Sequence, residues 1–267
     1  MNPDTRVVVC CYQGDAHQVI DMLPSLYQHH GCPVSIFSPE DSPVLLFPGL
    51  DCRHSGKRAR FGEGAQSRHL SYLKMLLELP ENFFLMNESD SFCLDPQIPQ
   101  YLYDEPDTFW SNAIPDGGSR PGIPTPSFQP PWFMSRKTVS ALIGAADKVA
   151  FDPDLPWDSS LIDFYLVQLS QVAGIKTSPF KNAMCVPIAA SIYDDPDDLT
   201  PVYPTMVPNI VDSAPDREFG AEWQRGMYER GFEIAKRRAH EGANMVHSCK
   251  SLEAALALMA EYKGRSK

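Results

Sequence analysis

The chain has 267 residues, of which 43% are hydrophobic and 21% charged, a composition that excludes wholesale disorder and supplies enough apolar material for one large α/β domain. A formal net charge of −11 excludes general electrostatic attraction to a polyanion. No apolar run reaches membrane-spanning length, and Met1-Asn2-Pro3-Asp4 is neither basic nor followed by a signal-like core, so the expectation is a cytoplasmic protein without stable membrane insertion. The seven cysteines contain no C-x-x-C pair and read as reduced thiols, not as a disulfide framework or a zinc site.

In chain order, Arg6-Val7-Val8-Val9-Cys10-Cys11 is a β-branched first strand, and Gln13-Gly14-Asp15 supplies a turn that caps a helix expected from Ala16 to about His29. Gly31 stops that helix, and Val34-Ser35-Ile36-Phe37 forms a second strand ending in Ser38-Pro39-Glu40-Asp41. Val44-Leu45-Leu46-Phe47 has the composition of a further short strand. The basic stretch Arg53-His54-Ser55-Gly56-Lys57-Arg58-Ala59-Arg60 reads as a solvated loop, or as one that faces phosphates. Leu70, Leu73, Leu76 and Leu77 have helical spacing within a helix from Ala65 through Leu79.

That helix leads into Phe83-Phe84-Leu85-Met86-Asn87-Glu88-Ser89-Asp90, where four apolar residues suit a strand covered on both faces. In open α/β sheets ligands gather at the carboxyl ends of such strands. Two acids at i and i+2 leave an extended strand on the same side, so Glu88 and Asp90 can converge on one divalent cation through hard oxygen ligands. The alternative is a solvated loop after a strand.

Thr108 to Ile114 reads as a strand, and Pro115 to Pro131 as a proline- and glycine-rich active-site loop or a surface excursion. Trp132-Phe133-Met134 is a short strand and Lys137 to Val149 a helix. Trp157-Asp158 opens a helix from Ser159 to Val172, and Ile175 resumes extended structure. Further on come a loop region from Ser178 to Gly220 with the acidic run Asp194-Asp195-Pro196-Asp197-Asp198, a helix from about Ala221 to Glu241, the segment Asn244-Met245-Val246-His247-Ser248-Cys249-Lys250, and a closing helix from Leu252 to Tyr262. Trp110, Trp132, Phe133 and Trp157 are equally suited to a stacking surface for a sugar or base and to a core.

Gly62-Glu63-Gly64-Ala65-Gln66-Ser67-Arg68-His69-Leu70 followed by Phe84-Leu85-Met86-Asn87-Glu88-Ser89-Asp90 resembles the GT-A class of nucleotide-sugar-dependent glycosyltransferases, and the likeness runs from about Arg6 to Lys250. The resemblance implies a single GT-A-like, Rossmann-like α/β domain with a mostly parallel central sheet flanked by helices. Residues 1–98 would form its nucleotide- and metal-binding half, and 99–267 its acceptor-binding half with a carboxyl-terminal metal segment. It implies Mn2+ or Mg2+ as cofactor, a nucleotide-diphosphate sugar as donor, and a hydroxyl acceptor such as a glycan, a small molecule or a modified DNA base. Asp90 is the leading metal ligand, with His247 as the imidazole ligand. Glu88, which stands where aspartate is usual in the class, contacts the metal, its water or the nucleotide ribose. Arg68 meets the donor sugar or diphosphate, and Lys250 a phosphate oxygen.

Asp158 matches the acidic position that meets the acceptor, as general base in an inverting enzyme, although aspartate at a helix start is also an ordinary cap. The residues leave the stereochemistry open, within a hexosyltransferase-type reaction. Tyr12 and Asp41, after the first two strands, stand where relatives bind the base and the ribose. Two further functions share the core: a nucleotidyltransferase, disfavoured because Tyr12-Gln13-Gly14-Asp15 lacks a glycine-rich basic loop, and a non-catalytic nucleotide-sugar-binding protein. A Rossmann dehydrogenase is disfavoured because no G-x-G-x-x-G follows the first strand.

Overall fold

Short β-branched and aromatic runs form the centre of the molecule, as their preference for a pleated, packed surface requires. The computed structural model describes residues 4–11, 31–44, 50–57, 62–89, 91–94, 97–114, 127–149, 162–181, 185–187, 232–233, 235–237, 239–240, 243, 245–247 and 252–264. The strands are β1 (Thr5–Cys10), β2 (Val34–Ser38), β3 (Asp51–His54), β4 (Phe83–Glu88), β5 (Phe92–Cys93), β6 (Thr108–Ile114), β7 (Ser127–Ser135), β8 (Lys176–Pro179), β9 (Cys185–Pro187) and β10 (Met245–His247). The α-helices are α1 (Gly62–Leu77), α2 (Tyr101–Asp104), α3 (Arg136–Ala145), α4 (Ile162–Ala173) and α5 (Leu252–Gly264), with a 3-10 turn at Ala146–Lys148.

Seven strands build the main sheet in the order β3-β2-β1-β4-β7-β6-β8, and β5-β10-β9 form a smaller one. β1 pairs in parallel with β2 and β4, β2 with β3, and β6 with β8, while β7 alone runs antiparallel between β4 and β6. The result is the mostly parallel, helix-flanked α/β sheet expected from the sequence.

Alternation along each strand sends side chains to two separate cores. Val7, Val9, Ile36, Leu85, Trp110 and Phe133 face the small sheet, α5 and the helical residues near Ala235 and Ala239. Val8, Phe37, Phe84, Met86, Trp132 and Met134 face α1, α3 and α4. Both faces of the central strands are therefore covered, which is why they read as continuous apolar runs. Trp110, Trp132 and Phe133 are fully buried in these layers, so they are core and offer no face to a stacked sugar or base; Trp157 lies outside the described residues.

Several local expectations are corrected. The third strand is Asp51–His54, half-buried at the sheet edge, so Arg53 and His54 belong to a strand and not to a basic loop. Val44 lies outside any strand, and 45–49 are outside the described residues. β7 extends back to Ser127 and includes Pro130 and Pro131. Its pairing with β6 jumps from Ser111↔Trp132 to Asn112↔Gln129, so both prolines stand in the interruption of the ladder, where a missing N–H breaks no β6–β7 rung. The expected helix over 16–29, the loop over 115–126, the acidic run at 194–198 and the start of the helix at 221 fall outside the described residues.

At the amino-terminal ends of β1 and β4 the sheet is pinned by polar contacts. Arg6 pairs with the buried Glu81 at 2.7 Å. The guanidinium of Arg136, at the start of α3, donates to the carbonyls of Leu77, Leu79 and Glu81 where α1 ends, and lies 5.7 Å from the ring centre of Phe84. Ser135 caps α3 by accepting a hydrogen bond from the Thr138 amide at 3.2 Å. Gly174, at φ 65°, follows α4 in the left-handed conformation that ends many helices.

Candidate functional site

The carboxyl ends of β1, β2, β3 and β4 lie side by side, because all four run parallel in adjacent positions. Cys10, the last residue of β1, is the register partner of both Phe37 and Glu88. Beyond β2, the Ser38 hydroxyl shares a 2.7 Å hydrogen bond with His54 Nδ1 and accepts one from the Val44 amide at 3.0 Å. The Glu40 amide donates to the Gly56 carbonyl at 2.8 Å. These bonds hold the turn carrying Asp41 against the end of β3, and Asp41 itself is exposed.

Gly56 then sets the position of Arg68. Its φ is +70°, and a Cβ there would stand 3.2 Å from the Arg68 Cα, so glycine lets the loop after β3 close onto α1 at that residue. Arg68 is half-buried, its Nε is buried without a partner, and it forms no ion pair among the described residues. Its charge is felt by the groups around it. The Cys10 thiol is pushed well above its ordinary range by burial, then by the Glu88 carboxylate and by Cys11, with the Arg68 guanidinium pulling the other way. The Tyr72 phenol is raised by burial first and by Cys10, Cys11 and Asp41, again with Arg68 opposing. Arg68, Glu88 and Asp41, three residues chosen from the sequence, thus share one electrostatic neighbourhood built around Cys10 and Tyr72.

His69, the next residue on α1, is buried with Nδ1 3.0 Å from the Ala65 carbonyl and its ring edge-on to Tyr72. Burial and the neighbouring Arg68 charge lower its pKa to about 3, so it stays neutral at physiological pH. In the unfolded chain an ordinary histidine takes up a proton near pH 6.5. Between those values the unfolded state binds more protons, so stability falls as pH drops, at about 1.4 kcal/mol per pH unit for this one group. Urea unfolding from pH 7 to pH 4 is expected to show this acid loss, and His69→Gln to flatten it; identical pH profiles would refute the assignment.

The acid motif departs from simple strand geometry. β4 ends at Glu88, Ser89 is in a turn, and the Ser91 amide donates to the Glu88 carbonyl at 3.2 Å. The chain folds back directly after Glu88, so the same-side rule for an extended strand does not relate Glu88 to Asp90. Asp90 lies outside the described residues, as do Tyr12, Asp158 and Lys250 and the side chain of His247.

The backbone of His247 is described, and its location is informative. β10 pairs antiparallel with β5, with Met245↔Cys93 and Val246↔Phe92 in register. β5 begins just after the turn at Ser89 and Ser91, so the strand carrying His247 runs beside that turn although far from it in sequence. Among the described residues no group of three His, Cys, Asp or Glu side chains is placed to hold a metal ion. The half-buried Glu88 carboxylate is nevertheless a hard oxygen donor suited to Mn2+ or Mg2+.

Sequence reasoning did not single out Cys10 or Tyr72 as members of this neighbourhood. Their only signals were adjacency to Cys11 and Tyr12 at a strand end and a shared helix with Arg68.

No protein-family model and no curated protein matches the chain. Solved structures do resemble it. A crystal structure described as a nucleotide-diphospho-sugar transferase from Desulfovibrio desulfuricans is 13% identical, with 67% of this chain and 80% of that one covered at a TM-score of 0.40. A glycosyltransferase involved in glycosylation of the major capsid of PBCV-1 is 9% identical, with 97% of this chain and all of that one covered at a TM-score of 0.43. At TM-scores below 0.5 the functional reading rests on the chain's own residues.

Proposed function

We propose that the protein is a metal-dependent glycosyltransferase that moves a sugar from a nucleotide-diphosphate donor to a hydroxyl acceptor. The observation that carries this reading is the pairing of β10 with β5, which runs the strand of His247 beside the turn that follows Glu88. An acid-bearing strand end and a distant histidine strand are thereby neighbours, and the charges of Glu88 and Arg68 both act on Cys10.

In this reading residues 1–98 bind the nucleotide and 99–267 the acceptor, as one catalytic unit acting in the cytoplasm. Glu88, Asp90 and His247 would hold Mn2+ or Mg2+, which when bound supplies positive charge for the diphosphate oxygens. Breaking the sugar–phosphate bond leaves negative charge on the departing nucleotide diphosphate. Arg68 offers that charge a planar, permanently cationic partner already held by α1. Asp41 and Tyr12 take the ribose and base, and Lys250 a phosphate oxygen. Asp158 takes the acceptor proton if the enzyme inverts. The buried, neutral His69 carries no charge that would compete with Arg68 for the diphosphate.

The test is a panel of nucleotide-diphosphate sugars assayed for nucleotide diphosphate release after chelation and again after manganese is restored. Release from one donor that disappears with the metal and returns with it is expected. Nucleotide-sugar binding without release would move the protein to a non-catalytic binding role, and absence of any binding would overturn the reading.

A further inference from the structure

Gly56 is held from two sides. On one side it continues the β2–β3 ladder: the Ser55 amide donates to the Ser38 carbonyl at 3.1 Å, and the Gly56 carbonyl accepts from the Glu40 amide at 2.8 Å. Those bonds tie it to the turn that carries Asp41. On the other side it lies against α1, where a Cβ on Gly56 would stand 3.2 Å from the Arg68 Cα, 3.5 Å from its Cβ and 3.6 Å from its Cγ. One residue without a side chain thus separates the Asp41 turn from Arg68.

Both neighbours are fixed. α1 is seated on the sheet through Tyr72, Leu73, Met75 and Leu76, which are buried with Val8, Phe37, Phe84 and Met86. The Asp41 turn is held by the Glu40 bond and by the Val44 amide, which donates to the Ser38 hydroxyl at 3.0 Å. A side chain at position 56 must displace one of them by a few tenths of an ångström. Either displacement changes the spacing between Asp41 and Arg68. Other left-handed glycines carry no such demand. Gly31 and Gly174 have φ +64° and +65°, close to the +70° of Gly56, yet a Cβ at either meets nothing within 4 Å. They precede β2 and β8, at the amino-terminal end of the sheet.

We propose that Gly56 is a positioning residue, which sets the distance between the Asp41 turn and Arg68 so that both engage one nucleotide-diphosphate sugar. This rests on the glycosyltransferase reading, in which Asp41 meets the ribose and Arg68 the diphosphate, and goes beyond it by making their spacing depend on the absence of a side chain. Ribose and diphosphate are covalently joined, so two protein groups that grip them act together only at a matching separation.

The experiment compares nucleotide diphosphate release from UDP-glucose, UDP-galactose and GDP-mannose by wild type, Gly56→Ala, Gly56→Asn and Gly174→Ala, with thermal unfolding of each protein. Gly56→Ala and Gly174→Ala carry the same left-handed strain, but only the first adds a contact with Arg68. Asparagine tolerates the left-handed conformation better than alanine and still has a Cβ, so Gly56→Asn keeps that contact at lower strain and covers an alanine variant that fails to fold. The expected result is that release from the preferred donor falls about tenfold or more in both position-56 variants and is unchanged in Gly174→Ala. In an Arg68→Ala background the position-56 substitutions should cost nothing further, because the group they displace is gone. Unchanged release by a folded Gly56→Asn, or an equal loss with and without the Arg68 side chain, overturns the proposal and leaves the glycosyltransferase reading intact. For a wild type that binds a nucleotide sugar without releasing it, the same comparison made in affinity decides. Wild type that binds none of the three donors overturns both.

Discussion

Arg68→Ala is expected to lower nucleotide diphosphate release by about a hundredfold to a thousandfold while leaving the unfolding midpoint nearly unchanged, the loss typical of removing one preorganised group that meets charge developing in a transition state. The two halves of this expectation come from different observations. The guanidinium forms no ion pair among the described residues, its Nε is buried without a partner, and its charge acts with that of Glu88 on Cys10 at the strand ends. The packing that fixes α1 here is between Gly56 and the Arg68 backbone, which alanine retains. Arg68→Lys should recover part of the rate, because an ammonium restores the charge without the planar fork. Steady-state release assays paired with thermal melts check it. A rate loss matched by a large drop in the melting midpoint would show that Arg68 braces the fold, and an unchanged rate would remove it from the site.

The largest effect on stability is expected at Arg136, far from the chemistry. Its guanidinium reaches the Leu77, Leu79 and Glu81 carbonyls, and its backbone amide donates to the Asn82 carbonyl at 2.7 Å, so one residue closes the connection between α1 and β4. Carbonyls at a helix end have no partner within the helix, and here a side chain from α3 supplies it. Arg136→Ala leaves several of them without a donor and removes the cation from the Phe84 ring, with an expected cost of about 3–4 kcal/mol. Lysine cannot replace it, since one ammonium on a flexible stem cannot span three carbonyls in a fixed fork. Denaturant titration should show a lower midpoint with an unchanged slope for both variants. A loss below about 1 kcal/mol would mean that water satisfies the carbonyls equally well.

How far the fold could be read depended on where burial fell. β1, β2, β4 and β6 were legible because each is built on a β-branched, aliphatic or aromatic run that packs into the cores on the two faces of the sheet. β3 was not, because a half-buried edge strand of Asp51-Cys52-Arg53-His54 carries no apolar signal, while the neighbouring Val44 to Phe47 carries a strong one. The beginning of β7 was hidden by Pro130 and Pro131, which read as a loop until the interrupted pairing with β6 shows where they fit. Trp110 and Trp132 looked equally suited to a ligand platform or a core, and burial decided for the core.

The candidate site has sequence signals for its members but none for its assembly. Arg68, Glu88 and Asp41 each stand out in the sequence as candidates, yet their shared neighbourhood depends on parallel register and on the closeness of Gly56 to α1, neither of which is written in local sequence.

The position of β4 between β1 and β7 has a consequence for how the protein is made. As the chain leaves the ribosome, β1, β2, β3 and α1 precede β4, so one side of β4 can pair as soon as it emerges. The other side waits for Ser127–Ser135 to be synthesised. Until then Phe83 to Met86 present an unpaired, apolar strand edge, the kind of surface that nascent chains lose to aggregation or hand to chaperones. Slow translation between Ser91 and Ser135 therefore lengthens the period of greatest vulnerability, and the strand that ends in Glu88 is the one left open.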